Sequence, residues 1–175
     1  MSNDTNLFKA LIPSATSGRF EVFRDRETMW LQEYIDRENW IVWVHEAEWE
    51  LGIFDEHIEK ATGDVLICGL GIGYCNWAIR NKRDVVSVDT VEREQDVIDL
   101  IWPYVDDDRS TIHHIDLDSF LARNTKKYDY ILIDIYDIDP TEQPTESRAL
   151  LNKVKRHLKR GGEAIFITWQ GTKFT

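Results

Sequence analysis

The stretch "DVLICGLGIGY", Asp64 to Tyr74, ends an apolar run with glycines at every second position, Gly69, Gly71 and Gly73. Glycines so placed let the backbone pass beside a ligand with no Cβ in the way. A dinucleotide fingerprint would need a small residue at 74, where Tyr74 stands, and no G-K-[ST] follows. The turn is therefore expected to hold a ligand without a pyrophosphate. Three acids follow in register. Asp89, 18 residues after Gly71, ends the second strand of the pattern and suits the two hydroxyls of a ribose. Asp116 ends the third, where it can accept from an adenine amino group, with Ile72, Ile115 or Leu117 against the ring. Asp134 ends the fourth and faces the reacting end. The same residue types also fit helix N-caps (Asp89, Asp118) and a solvated loop acid (Asp116).

The elements that must position these residues are legible in the periodicity. Residues 1–18 are polar and aperiodic and read as a mobile tail. In 19–44, "RFEVFRD", "TMWLQEYID" and "NWIVWVHE" alternate and read as two small antiparallel hairpins. There Trp30, Trp40 and Trp43 suit aromatic cross-strand pairs. Residues 45–175 form the ligand-binding domain. Leu51, Phe54, Ile58 and Ala61 share a helical face that Gly63 terminates. Buried strands then alternate with helices: "DVLICGL", "YCNWAIRN", "DVVSVDT", "EREQDVIDLIWP" ending near Pro103, "STIHHID", "DSFLARN" and "YDYILIDIY". A helix through Leu150, Leu151, Val154 and Leu158 follows, then a Gly161-Gly162 turn and the strand "EAIFITW". This alternation predicts an α/β, Rossmann-like doubly wound, mainly parallel sheet, whose ligands lie beyond the carboxyl ends of the strands.

Composition narrows the partners. The net charge of −11 disfavours a nucleic-acid backbone. No run approaches the ~20 apolar residues of a membrane span, and the N-terminus lacks the basic-then-apolar pattern of a signal peptide. Cys68 and Cys75 form no C-x-x-C pair, which suits a reducing, cytoplasmic setting. "HEAEW" is not H-E-x-x-H, and His113 and His114, as strand neighbours, point to opposite faces, so no metal is expected.

Taken together, "VLICGLGIGY", "VVSVDT", "IHHID" and "YDYILIDIY" resemble the first four motifs of the class I S-adenosylmethionine-dependent methyltransferases, over about residues 45–170. More narrowly, the chain is similar to the spermidine synthase branch. Hairpins precede the nucleoside domain, "DIYD" (Asp134–Asp137) resembles that branch's D-S-S-D, and "WQG" (Trp169–Gly171) resembles its Q-G. The branch's glycine turn carries an aspartate that grips the amine of decarboxylated S-adenosylmethionine. Ile72 stands there, and Ile138 replaces the proline that follows D-S-S-D. The resemblance thus implies S-adenosylmethionine as cofactor and methyl transfer to a small-molecule amine or hydroxyl. Aminopropyl transfer, donor cleavage and a non-catalytic nucleoside-binding scaffold are the alternatives.

In that reading Asp137 is the general base beside Asp134, and Tyr136, Trp169 and Gln170 wall the acceptor pocket. His45 and Trp49 close the substrate side. The family continues past its fifth strand, so "EAIFITW" is expected to be an apolar edge that the hairpins or a second subunit of a homo-oligomer cover.

Overall fold

The structure, a computed structural model, describes Phe8 and residues 10–25, 28–45, 48–135 and 142–167, without the side chains of 45 and 48–51. Strands β1 (Ala15–Ser17), β2 (Phe20–Arg24), β3 (Met29–Tyr34) and β4 (Trp40–His45) pair antiparallel in chain order. The expected hairpins are therefore joined into one four-stranded sheet. Its alternation buries Phe20, Val22, Met29 and Leu31 completely. On the other face Phe23 sits opposite Trp30 with ring centroids 5.3 Å apart. The segment expected to be a tail is bound here. It supplies β1, and its few apolar side chains decide the matter. Phe8 and Ile12 are fully buried, Phe8 lying 5.2 Å from the Tyr74 ring and 5.4 Å from that of Trp77.

The second sheet is wholly parallel. Helix α1 (Glu48–Lys60) leads into β5 (Gly63–Cys68), α2 (Tyr74–Arg80), β6 (Val85–Glu92), α3 (Gln95–Val105) and β7 (Ser110–His114). Then come α4 (Leu117–Arg123), β8 (Tyr128–Ile133), α5 (Pro144–Lys155) and β9 (Leu158–Phe166). The strand order is β7-β6-β5-β8-β9, with β5 central. Its apolar runs are continuous because both faces are covered. Val65, Ile67, Tyr130, Leu132 and Ile165 join the core under α1–α3 and the small sheet. Leu66, Cys68, Ile131, Ile133 and Phe166 join the core under α4 and α5.

Three boundaries differ from the sequence reading. Helix α5 stops at Lys155, and Leu158, expected on its face, opens β9 instead. Helix α3 runs through Pro103 to Val105. The Gly161-Gly162 pair makes no separate turn but is absorbed into β9 as a bulge: Tyr128 faces Leu158, and two residues on Tyr130 already faces Glu163.

Beneath the sheet, at the amino ends of β5 and β8, charges form a chain. Lys159 Nζ donates to Asp64 Oδ2 (2.6 Å) and Asp129 Oδ2 (2.7 Å), and Ser87 Oγ to Asp64 Oδ1 (2.6 Å). The Lys159 hydrogen bond is the main reason both carboxyls lie below the ordinary 3.8. Since their folded pKa values are depressed, the stability they confer is complete above the unfolded value and drains away as pH falls through that region and below. Lys159→Met should therefore lower the Tm at pH 7 and flatten its decline between about pH 5 and 2. A melting series that keeps its full acid slope in the variant would refute the assignment.

Candidate functional site

The glycine turn leaves the carboxyl end of the central strand. Gly69 N donates to the Val91 carbonyl and Asp134 N to the Cys68 carbonyl, each at 2.9 Å, so β6, β5 and β8 meet at the turn. Gly69 has φ +101°, and a Cβ there would overlap the Asp134 carbonyl oxygen. Gly73 has φ +80° and opens α2. A Cβ on it would come within 2.8 Å of Ile101 and 2.9 Å of Val105, so it lets α3 pack against the turn. Gly71 differs. A Cβ built on it meets only Val44 Cγ1, at 3.8 Å, within 4 Å. The outer two glycines thus serve packing, while among the described residues a Cβ at the middle one would make only an ordinary contact with Val44, which leaves room for a candidate cradle.

The acid beside this cradle is not the expected one. Asp89 lies in the middle of β6, which continues through Thr90 and Val91 to Glu92. The Asp-Thr pair that resembled a strand end is held in register by neighbours on both sides, Thr90 opposite Ile67 and Glu92 opposite His114. Asp89 is buried with both oxygens engaged, Oδ1 with His113 Nε2 (2.7 Å) and Oδ2 with Lys126 Nζ (2.6 Å). Glu92 occupies the strand end instead. Its Oε2 accepts from Leu70 N in the glycine turn (3.0 Å), and its Oε1 from Arg93 N (2.8 Å) and Glu94 N (2.9 Å). Burial pushes its carboxyl above the ordinary range, and the three N–H donors oppose that rise. An acceptor site is left on Oε2, enough for one hydroxyl. The signal was present in the sequence: the valine-rich run "VVSVDTVE" continues past Asp89 to Glu92, two residues short of the helix.

The other candidates separate. Asp134 follows β8 directly and stands half-buried against the turn. Asp116 lies beyond β7, which stops at His114, and N-caps α4 by accepting from Ser119 N at 2.9 Å. That bond holds its carboxyl below the usual range. Ile115 and Leu117 pack on the core beneath α4. Ile72, expected against the adenine, is 3% exposed and belongs to the core on the other face, because the turn folds its apolar residues inward. Tyr136, Asp137, Trp169 and Gln170 lie outside the described residues, as do the side chains of His45 and Trp49.

The small sheet braces this site. Arg19 bridges Glu33 (Nε to Oε1, 2.7 Å) and Glu94 (Nη2 to Oε2, 2.9 Å), and Ser17 Oγ donates to Asp96 Oδ1 (3.1 Å). Glu94 is the residue whose N–H the Glu92 carboxylate holds. The entry to α3 is thereby fixed from both sides.

No protein-family model matches the chain, and no curated protein sequence matches it significantly. Solved structures do. Spermidine synthase from Thermotoga maritima superposes with a TM-score of 0.59 at 21% identity, over 89% of this chain and 55% of that one. The ribosomal protein L11 methylase of Lactobacillus delbrueckii subsp. bulgaricus gives 0.52 at 20%, over 69% and 60%. The N-methyltransferase NodS of Bradyrhizobium japonicum WM9 gives 0.52 at 14%, over 68% and 65%. The chain has the class I methyltransferase fold. It spans between about half and two thirds of the length of these three proteins. The methyltransferase fold puts the turn at Gly69–Gly73 on its central strand and Glu92 on the neighbouring one. Among the described residues, no helix is long and apolar enough to cross a membrane.

Proposed function

We propose that the protein binds S-adenosylmethionine in the cradle at Gly71 and transfers its methyl group to a small-molecule amine or hydroxyl. The observation that carries this reading is the open Cβ position at Gly71 beside a buried carboxylate, Glu92, at the carboxyl ends of adjacent strands. When bound, S-adenosylmethionine supplies an electrophilic methyl on a sulfonium. The chain's own part is positioning. Glu92 Oε2 would accept one ribose hydroxyl. Asp116 has Oδ2 free of its cap bond for the adenine amino group. Asp134 lies at the reacting end, where Asp137 would take a proton from the acceptor.

Aminopropyl transfer is the second reading. The spermidine synthase superposition covers 89% of the chain against 69% for the L11 methylase. Against it stands Ile72, sunk in an apolar core, where a carboxylate would be desolvated rather than presented to an amine.

Calorimetric titration with S-adenosylmethionine, its demethylated product and decarboxylated S-adenosylmethionine separates the readings. Micromolar binding of the first two with the third weaker is expected; preference for the third would restore polyamine synthesis, and no binding would leave a scaffold. Once an acceptor is found, Asp137→Asn should slow turnover by roughly 10²-fold or more with donor affinity nearly unchanged. Full-rate turnover in that variant would remove Asp137 from the mechanism.

A further inference from the structure

Between the edge strand β7 and helix α4 lies an open cavity of about 360 Å³, lined by His113, His114, Ile115, Phe120, Arg123 and Asn124. None of Gly69, Gly71, Gly73 or Glu92 lines it, so it lies apart from the cradle at the glycine turn. We infer that it binds a small organic anion, a carboxylate or phosphate monoester with an apolar body.

Its chemistry is one-sided. Among the described residues no acid lines it, on a chain whose net charge is −11. Arg123, in the last turn of α4, makes no close ion pair with any described residue; its charge reaches Asp116 only at longer range, so its guanidinium can take a planar anion in two parallel hydrogen bonds. His113 is held from behind. Its Nε2 meets Asp89 Oδ1 at 2.7 Å, which fixes the ring and leaves Nδ1 as its other polar atom. Asp89 cannot compete for Arg123, since its second oxygen is taken by Lys126 at 2.6 Å. The Phe120 ring, with its centroid 4.8 Å from that of His113, and Ile115 supply an apolar wall for the body of the ligand. His114 adds a second imidazole at the rim, its Nε2 lying 3.1 Å from the Arg93 carbonyl. Of the carboxylates at the start of α4, Asp116 accepts from Ser119 N through Oδ1 and feels the Arg123 charge, and Asp118 pairs with Lys153.

The test follows the imidazole C–H resonances of His113 and His114 by NMR in the full chain, during titration with benzoate, phenyl phosphate and neutral benzyl alcohol. His113→Gln assigns the signals. Saturable movement with at least one of the two anions and none with benzyl alcohol is expected, and the anion preferred decides between carboxylate and phosphate. Arg123→Gln should weaken binding by roughly ten-fold, and Arg123→Lys by less, as loss of a charged, forked hydrogen bond requires. Arg123 is exposed and makes no close ion pair among the described residues, so the variant should remain folded. Absence of saturation with both anions, an equal response to benzyl alcohol, or unchanged affinity in Arg123→Gln overturns the assignment. None of these outcomes depends on whether S-adenosylmethionine binds.

Discussion

Replacing Gly69 with alanine is expected to cost about 4 kcal/mol of stability or more, while the same change at Gly71 costs about 1 kcal/mol. Both glycines have positive φ, and the left-handed conformation alone penalises an alanine by roughly 1–2 kcal/mol. At Gly69 a second term dominates. The added methyl would overlap the Asp134 carbonyl oxygen, and that atom belongs to the backbone leaving β8, tied back by Asp134 N to Cys68 O. Neither strand can retreat without opening the middle of the sheet, where Ile67, Cys68, Leu132 and Ile133 are essentially fully buried. In a chain of this size 1 kcal/mol moves Tm by roughly 2–4 °C. Gly69→Ala should therefore melt about 10 °C or more below the parent, and Gly71→Ala only a few degrees below it. The order reverses for function: a methyl at 71 intrudes into the cradle, so Gly71→Ala should lose donor affinity while still folded. Thermal melts paired with donor titration read both effects. Equal melting losses in the two variants would show that the turn does not divide its glycines between packing and binding.

How far the sequence foretold these features depends on what each residue had to satisfy. The parallel sheet was legible because a strand covered on both faces needs an unbroken apolar run, and "VLIC" and "YILI" have no other soluble use. The turn was legible because alternate glycines are costly and rarely free of purpose. The strand-end acid was misjudged for a local reason. Asp disfavours strands, so Asp89 looked like a terminus. What keeps it inside β6 is tertiary, the Lys126 and His113 side chains that neutralise it from distant positions in the chain. The burial of Ile72 is hidden for the same reason: nothing local says whether the turn's apolar residues face a ligand or the core. The bound N-terminal segment escaped because its core-facing side chains, Phe8, Leu11 and Ile12, are too few to give a period. Compositional rules see averages, whereas a single fully buried phenylalanine contributes about 1.5–3 kcal/mol.

The division of labour between the two acids of β6 gives the second large expected effect. Glu92→Gln keeps the side chain's size but leaves a single acceptor oxygen where the carboxylate serves three N–H groups. At least one of the donors from Leu70, Arg93 or Glu94 then loses its partner in a buried position, at about 1–3 kcal/mol. The turn loosens at the proposed cradle, and the charged acceptor proposed for the ribose hydroxyl is gone. A hydrogen bond to a charged group is worth about 1.5–3 kcal/mol, so donor affinity should fall roughly 10- to 150-fold. Because burial holds the Glu92 carboxyl above its ordinary 4.5, the acid limb of donor binding should also lie above that value in the parent, as protonation removes the charged acceptor. Asp89→Asn predicts the opposite pattern. It unlinks Lys126 and His113, both partly exposed, and should cost about 1–2 kcal/mol of stability with donor affinity within about three-fold of the parent. Titration of the two variants side by side decides which acid serves the ligand. Retained affinity in Glu92→Gln with loss in Asp89→Asn would return the ribose to Asp89, and would require the His113–Asp89–Lys126 contacts to open when the donor binds.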